Sequence, residues 1–183
     1  MADTTRRVLL AGLGAAAVTP AAAAKTVFDF TMEALEGGPL DLGQFRGRPM
    51  LVVNTASFCG YTPQYRGLEA LHRRLSPRGL VVLGVPSNDF NQESSDPRQI
   101  KQFCETTYDV QFPMTVPAHV RGPQAHPLFA FLAARGGGPP RWNFHKYLTA
   151  RDGRGVQGFA TRIEPEAPEL LHAIEAALAA PAA

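Results

Sequence analysis

A chain of 183 residues with 45% hydrophobic and 19% charged residues suits one globular domain with a packed core, and does not read as disordered. Its 18 basic and 16 acidic residues are scattered and leave a net charge of +2, which gives no electrostatic footprint for nucleic acid or an anionic membrane. Two cysteines are too few for a disulfide scaffold or a Cys-rich zinc site, and the five histidines lack the close helical pairing of a metal centre, so no metal or organic cofactor is expected.

Residues 1–24 differ in kind from the rest. They hold no carboxylate after Asp3, the pair Arg6-Arg7, and then a Gly- and Ala-rich apolar stretch from Val8 to Val18, well short of the ~20 residues that span a bilayer. Thr5-Arg6-Arg7-Val8-Leu9-Leu10 resembles a twin-arginine export signal, with small residues for cleavage around Ala22-Ala23-Ala24. The expectation is a signal peptide over 1–24, a folded domain over 25–183, and a periplasmic location.

Past the signal, Thr26 to Phe30 alternates polar and apolar residues, and Gly37-Gly38-Pro39 marks a turn before Leu40 and Leu42, so an N-terminal β-hairpin is predicted. Met50 to Val53 and Leu80 to Val85 are short apolar runs of the kind that form strands buried on both faces. Between them, Tyr65, Leu68, Leu71 and Leu75 recur at helical spacing, with Thr62 as N-cap and Pro63 at the first helical position. Asp96-Pro97 repeats the cap-then-proline signal before a helix carrying Ile100, Phe103, Cys104 and Tyr108. A short helix follows from Pro127 and must end at Gly136-Gly137-Gly138. Phe144 to Thr149 and Val156 to Phe159 flank Asp152-Gly153, a hairpin signal, and a last helix from Pro168 is predicted to bury Leu170, Leu171, Ile174 and Leu178. This order fits a thioredoxin-like α/β three-layer sandwich with a central mixed sheet, although order alone leaves other three-layer folds open.

Cys59 falls between the end of a predicted buried strand and the cap of the next helix. Helix N-termini offer free N–H groups and the positive end of the macrodipole, which favour a thiolate, and Gly60 lets the chain turn tightly beside the sulfur. The bland alternative is an inert buried thiol.

The surrounding residues, Asn54-Thr55-Ala56-Ser57-Phe58-Cys59-Gly60-Tyr61-Thr62, resemble the peroxidatic segment of the glutathione peroxidase family. Three further segments resemble the same family in the same order: Pro86 to Phe90 with Gln92-Glu93, then Phe112-Pro113-Met114, then Trp142 to Leu148. The resemblance implies a site of Cys59, Gln92, Trp142 and Asn143, whose amide and indole donors suit a sulfur anion and a departing hydroxide. It also implies a thiol peroxidase, active against hydrogen peroxide or organic hydroperoxides in oxidative stress, that passes through a cysteine sulfenic acid. Here Ser87, Asp89 and Ser94 depart from the family pattern and the loop before Gln92 is one residue shorter, so Asn91 is the alternative for the amide position. Relatives of the thioredoxin-dependent kind carry a resolving cysteine in the region of Cys104, for which core packing is the competing explanation. The electron donor implied is a thiol, either a thioredoxin-like protein or glutathione, and the short segment between Pro127 and Trp142 implies a monomer. A redox sensor or assembly protein of the same fold, passing a disulfide onward, is the competing function.

Overall fold

The structure, a computed structural model, describes residues 26–181. The expected export signal lies outside them. Two short strands, β1 (Thr31–Glu33) and β2 (Pro39–Asp41), pair as an antiparallel hairpin through Gly37 and Gly38, both with positive φ. The hairpin is where the turn signal puts it, but Thr26 to Phe30 is not its first strand. Val27–Asp29 is a 3-10 turn, because the Asp29 carboxylate takes both the Thr26 amide and its hydroxyl at 2.9 Å. That local closure outcompetes the alternating pattern.

The central sheet has the order β4-β3-β5-β6, built from β3 (Met50–Thr55), β4 (Val81–Pro86), β5 (Lys146–Thr149) and β6 (Val156–Phe159). β4 runs parallel to β3, while β5 is antiparallel to both β3 and β6, so the sheet is mixed. Every residue of β3 and β4 is buried, as their continuous apolar runs require. Side chains alternate between two cores. Leu51 and Val53 face α1 (Gln64–Leu75), α2 (Pro97–Tyr108) and α4 (Pro168–Ala179), whereas Met50 and Val52 face α3 (Pro127–Arg135) and the N-terminal segment. These are the three layers of a thioredoxin-like sandwich.

Local signals explain most helix ends. Asp96 caps α2 by accepting from the Arg98 amide at 2.9 Å, and Gly136 follows α3. The Phe112-Pro113-Met114 segment docks beside β4, with Gly84 exchanging hydrogen bonds with Pro113 and Thr115 at 3.0 Å. A Cβ on Gly84 would meet the Phe112 ring at 3.0 Å, so a larger residue here would have to push the Phe112 and Met114 side chains aside. In the β5–β6 connection, Asp152-Gly153 sits inside a loop of six residues, 150–155, rather than forming the whole turn, and Gly153 binds the Val27 amide through its carbonyl at 2.8 Å. Leu171 of α4 is only half-buried.

Candidate active site

Cys59 lies in a series of turns between the C-terminal end of β3 and the start of α1. The helix begins later than the Thr-Pro signal indicates, at Gln64, and it is entered through i→i+3 bonds from the Thr62, Gln64, Tyr65 and Arg66 amides. Thr62 therefore does not cap α1. Its buried hydroxyl accepts from the Cys59 amide at 3.0 Å and donates to the Ala56 carbonyl at 2.9 Å, so it fastens the cysteine turn across itself. The sulfur receives the Tyr61 amide at 3.4 Å, which gives the thiolate a backbone N–H donor from the turn rather than from the first turn of α1. Cys59 is 8% exposed, more covered than its neighbour Gly60.

The other three residues implied by the resemblance assemble at the same end of β3. Gln92 accepts the Phe58 amide on its backbone carbonyl at 3.0 Å, next to Cys59 in the chain, and its side-chain oxygen accepts from Asn143 Nδ2 at 2.9 Å. With that oxygen engaged, the Gln92 N–H groups are the part left to face a reactant. Asn91 is exposed, at φ +56°, in the turn closed by its amide on Asn88, so Gln92 and not Asn91 makes the amide contact with Asn143. Asn143 is wholly buried. Trp142 is 41% exposed, and its indole is tilted against Phe90 at 5.3 Å. Asn54, at the end of β3, holds the loop on both sides: its amide donates to the Trp142 carbonyl at 3.1 Å and its carbonyl accepts the Phe144 amide at 2.6 Å.

One departure from the family pattern, Asp89, has a local reason. Asp89 reaches the loop that follows Pro117, pairing with His119 at 2.6 Å and accepting the Val120 and Arg121 amides at 2.7 and 3.1 Å. Burial alone would raise the Asp89 pKa, but the His119 bond and the two amides outweigh it and hold the carboxyl below its usual value. Arg121 then lies over the Phe90 ring at 4.8 Å, continuing the stack to Trp142. Beneath the site, burial raises Glu93, which Ser57 and the Ser94 amide only partly compensate.

Cys104 stands apart from this assembly in reactivity. It is 1% exposed in α2, and burial pushes its thiol up to about 11, which leaves little thiolate at neutral pH. The end of α2 is well closed: Asp109 adopts φ +51°, and the Val110 amide returns to the Cys104 carbonyl at 3.2 Å. The low helix propensity of Thr106 and Thr107 is thus offset by a cap that needs no glycine.

Several residues with a part here escape a sequence reading. Thr62 and Asn54 bound the segment that resembles the family, but the bonds they make are not legible there: Thr62 otherwise reads as a helix cap, and Asn54 as a polar residue ending an apolar run. Phe58, Tyr61 and Trp142 are the large apolar side chains exposed among the described residues, and all three lie beside Cys59 or in its partner loop. A Phe and a Tyr on either side of a cysteine at a strand end are the available signal. No group of His, Cys, Asp or Glu able to hold a metal occurs among the described residues.

Comparison with known proteins shows which family the chain resembles. The family model described as glutathione peroxidase matches residues 27–133. A hydroperoxy fatty acid reductase of Synechocystis is 44% identical over 157 residues, covering 80% of this chain and 93% of its own. The crystal structure of Trgpx in apo form superposes with a TM-score of 0.71 at 33% identity, covering 87% of this chain and all of that one. A thioredoxin family protein of Chlorobium tepidum, with a TM-score of 0.61 at 16% identity over 81% of this chain and 92% of its own, shares the fold alone. The chain belongs to the glutathione peroxidase family.

Proposed function

We propose that this chain is a cysteine-type thiol peroxidase, with Cys59 as nucleophile and Gln92, Trp142 and Asn143 as the donors around the reacting oxygens. The observation that carries the assignment of roles is the Gln92–Asn143 pair at 2.9 Å, tied through the Gln92 carbonyl to the turn that holds Cys59. The thiolate attacks one peroxide oxygen, the O–O bond breaks, and the alcohol or water leaves after taking a proton. Cys59 becomes a sulfenic acid. Two thiol equivalents return it to the thiol, releasing water and forming a disulfide. Since Cys104 is buried in a capped helix and its thiol is pushed up to about 11, we take an external thiol as the reductant, with Cys104 able to act only if α2 opens.

The exposed side chains of Phe58, Tyr61 and Trp142 favour hydroperoxides that carry an apolar organic group over hydrogen peroxide, because such a group removes apolar surface from water on binding. Export through the Arg6-Arg7 signal to the periplasm, and a monomeric state, complete the proposal. The test is turnover of hydrogen peroxide and cumene hydroperoxide by the chain without residues 1–24, with thioredoxin or glutathione as donor. The proposal expects both peroxides to be reduced, with the larger kcat/KM for the organic one. No turnover with either donor would overturn it. Replacing Arg6 and Arg7 by Lys tests the export reading, which fails if processed protein still leaves the cytoplasm.

A further inference from the structure

One buried lysine in the fold has no part in the chemistry above. Lys146 in β5 is wholly buried, although Lys is among the residues least often found fully buried. Its ammonium group donates to Gln64 Oε1 at 2.5 Å, the Phe144 carbonyl at 2.7 Å and the Thr161 carbonyl at 3.4 Å. Three N–H groups thus meet three acceptors, whereas the neutral amine has only two to offer. Burial pulls the Lys146 pKa down to about 7, against the attraction of Glu164. Glu164 is reached through Gln64, whose Nε2 lies 3.3 Å from its carboxylate.

The acceptors come from three separate parts of the fold that must agree if the site is to be formed. Gln64 opens α1, immediately after the Cys59 turn, and also donates to the Thr161 carbonyl at 2.8 Å. Thr161 in turn donates through its hydroxyl to the Asn143 carbonyl at 2.8 Å. Phe144 adopts φ +60°, a left-handed conformation that a bulky non-glycine residue seldom takes, and this reversal directs Trp142 and Asn143 back toward the end of β3. The Phe144 amide is held by Asn54 and its carbonyl by Lys146.

We propose that Lys146 is a positioning residue of the peroxide site: its buried ammonium group fixes the reversed Phe144 peptide against the start of α1, and so sets Trp142 and Asn143 in register with Cys59. The inference rests on the role assigned to Cys59, Trp142 and Asn143 above. Removing the cation leaves the Phe144 carbonyl and Gln64 Oε1 without a donor, and the reversed peptide loses the contact that favours it over ordinary backbone.

Trp142 is the single tryptophan of the chain, so its emission reports the loop directly. Lys146→Met keeps most of the length of the side chain without the amino group. It is expected to lower the rate of Cys59 oxidation by an organic hydroperoxide by about ten- to a hundredfold, the scale of a misplacement of roughly 1 Å, and to shift the Trp142 emission of the folded protein. Gln64→Met, which alters the network from α1, is expected to shift the same two readouts in the same direction, and serves if Lys146→Met does not fold by circular dichroism. A purely structural role predicts lower thermal stability with unchanged emission and an unchanged rate in the folded protein, and that result overturns the inference. Wild-type protein that fails to reduce peroxide refutes the proposed function instead, so the two failures are told apart.

Discussion

Thr62 offers a sharp quantitative test, because sequence and structure give it different jobs. As an ordinary N-cap its hydroxyl would contribute about 1 kcal/mol. In the structure it serves two buried backbone groups at once, the Cys59 amide at 3.0 Å and the Ala56 carbonyl at 2.9 Å. Ala56 is wholly buried and Cys59 nearly so, which keeps water from replacing the lost partner. Leaving each group unsatisfied costs about 1–3 kcal/mol, so Thr62→Val is expected to lose about 2–6 kcal/mol of unfolding free energy. Thr62→Ser keeps the hydroxyl and gives up one methyl, about 1 kcal/mol. Urea unfolding followed by Trp142 emission and by circular dichroism measures both. The Val variant should also react more slowly with peroxide, since the Cys59 turn is no longer fastened. A Val variant within about 0.5 kcal/mol of the Ser variant, with an unchanged peroxide rate, would refute the bridging role.

Asp89→Ala orphans the Val120 amide and frees the 119–121 loop, so it should cost about 1–3 kcal/mol and alter Trp142 emission through the released Arg121–Phe90 stack; an unchanged spectrum contradicts that link. Glu93 has a raised pKa in the folded state, so it adds stability below its unfolded value and loses that contribution as pH rises through the folded one. Glu93→Gln should therefore be more stable than wild type at pH 7, with the gap closing in acid, and equal stability at both would count against a buried, strained carboxylate. Gly158→Ala drives a methyl into the Gly136 carbonyl and should cost about 1–3 kcal/mol or more by thermal unfolding, whereas a neutral result means the β6–α3 contact is looser than described. After one equivalent of peroxide and one equivalent of glutathione, mass spectrometry should find a mixed disulfide on Cys59 with Cys104 still reduced; a Cys59–Cys104 bridge would show that α2 opens.

The central strands and most helices were legible because their signals are local and strong. Met50 to Val53 and Leu80 to Val85 are apolar on both faces, and the Asp96-Pro97, Pro127 and Pro168 starts all mark helices. Where two local signals compete, the reading fails: at Thr26 to Phe30 the Thr26–Asp29 capping box defeats strand alternation. Cys59, Gln92, Trp142 and Asn143 were accessible through motif resemblance. What binds them together was not, because the bonds of Asn54, Thr161 and Lys146 join residues many positions apart in the chain. Nothing local in the sequence marks Lys146 as buried, because its three acceptors come together only in the fold.

The most direct test of the account is the fate of Cys59 when the chain without residues 1–24, fully reduced, meets one equivalent of an organic hydroperoxide. The account predicts that one equivalent of peroxide disappears and that one oxygen atom, trapped by a sulfenic-acid reagent, is found on the Cys59 peptide. Cys59→Ser, equally folded by circular dichroism, should consume none. Peroxide loss that is the same in both proteins, or a wild-type Cys59 left unmodified, would contradict it.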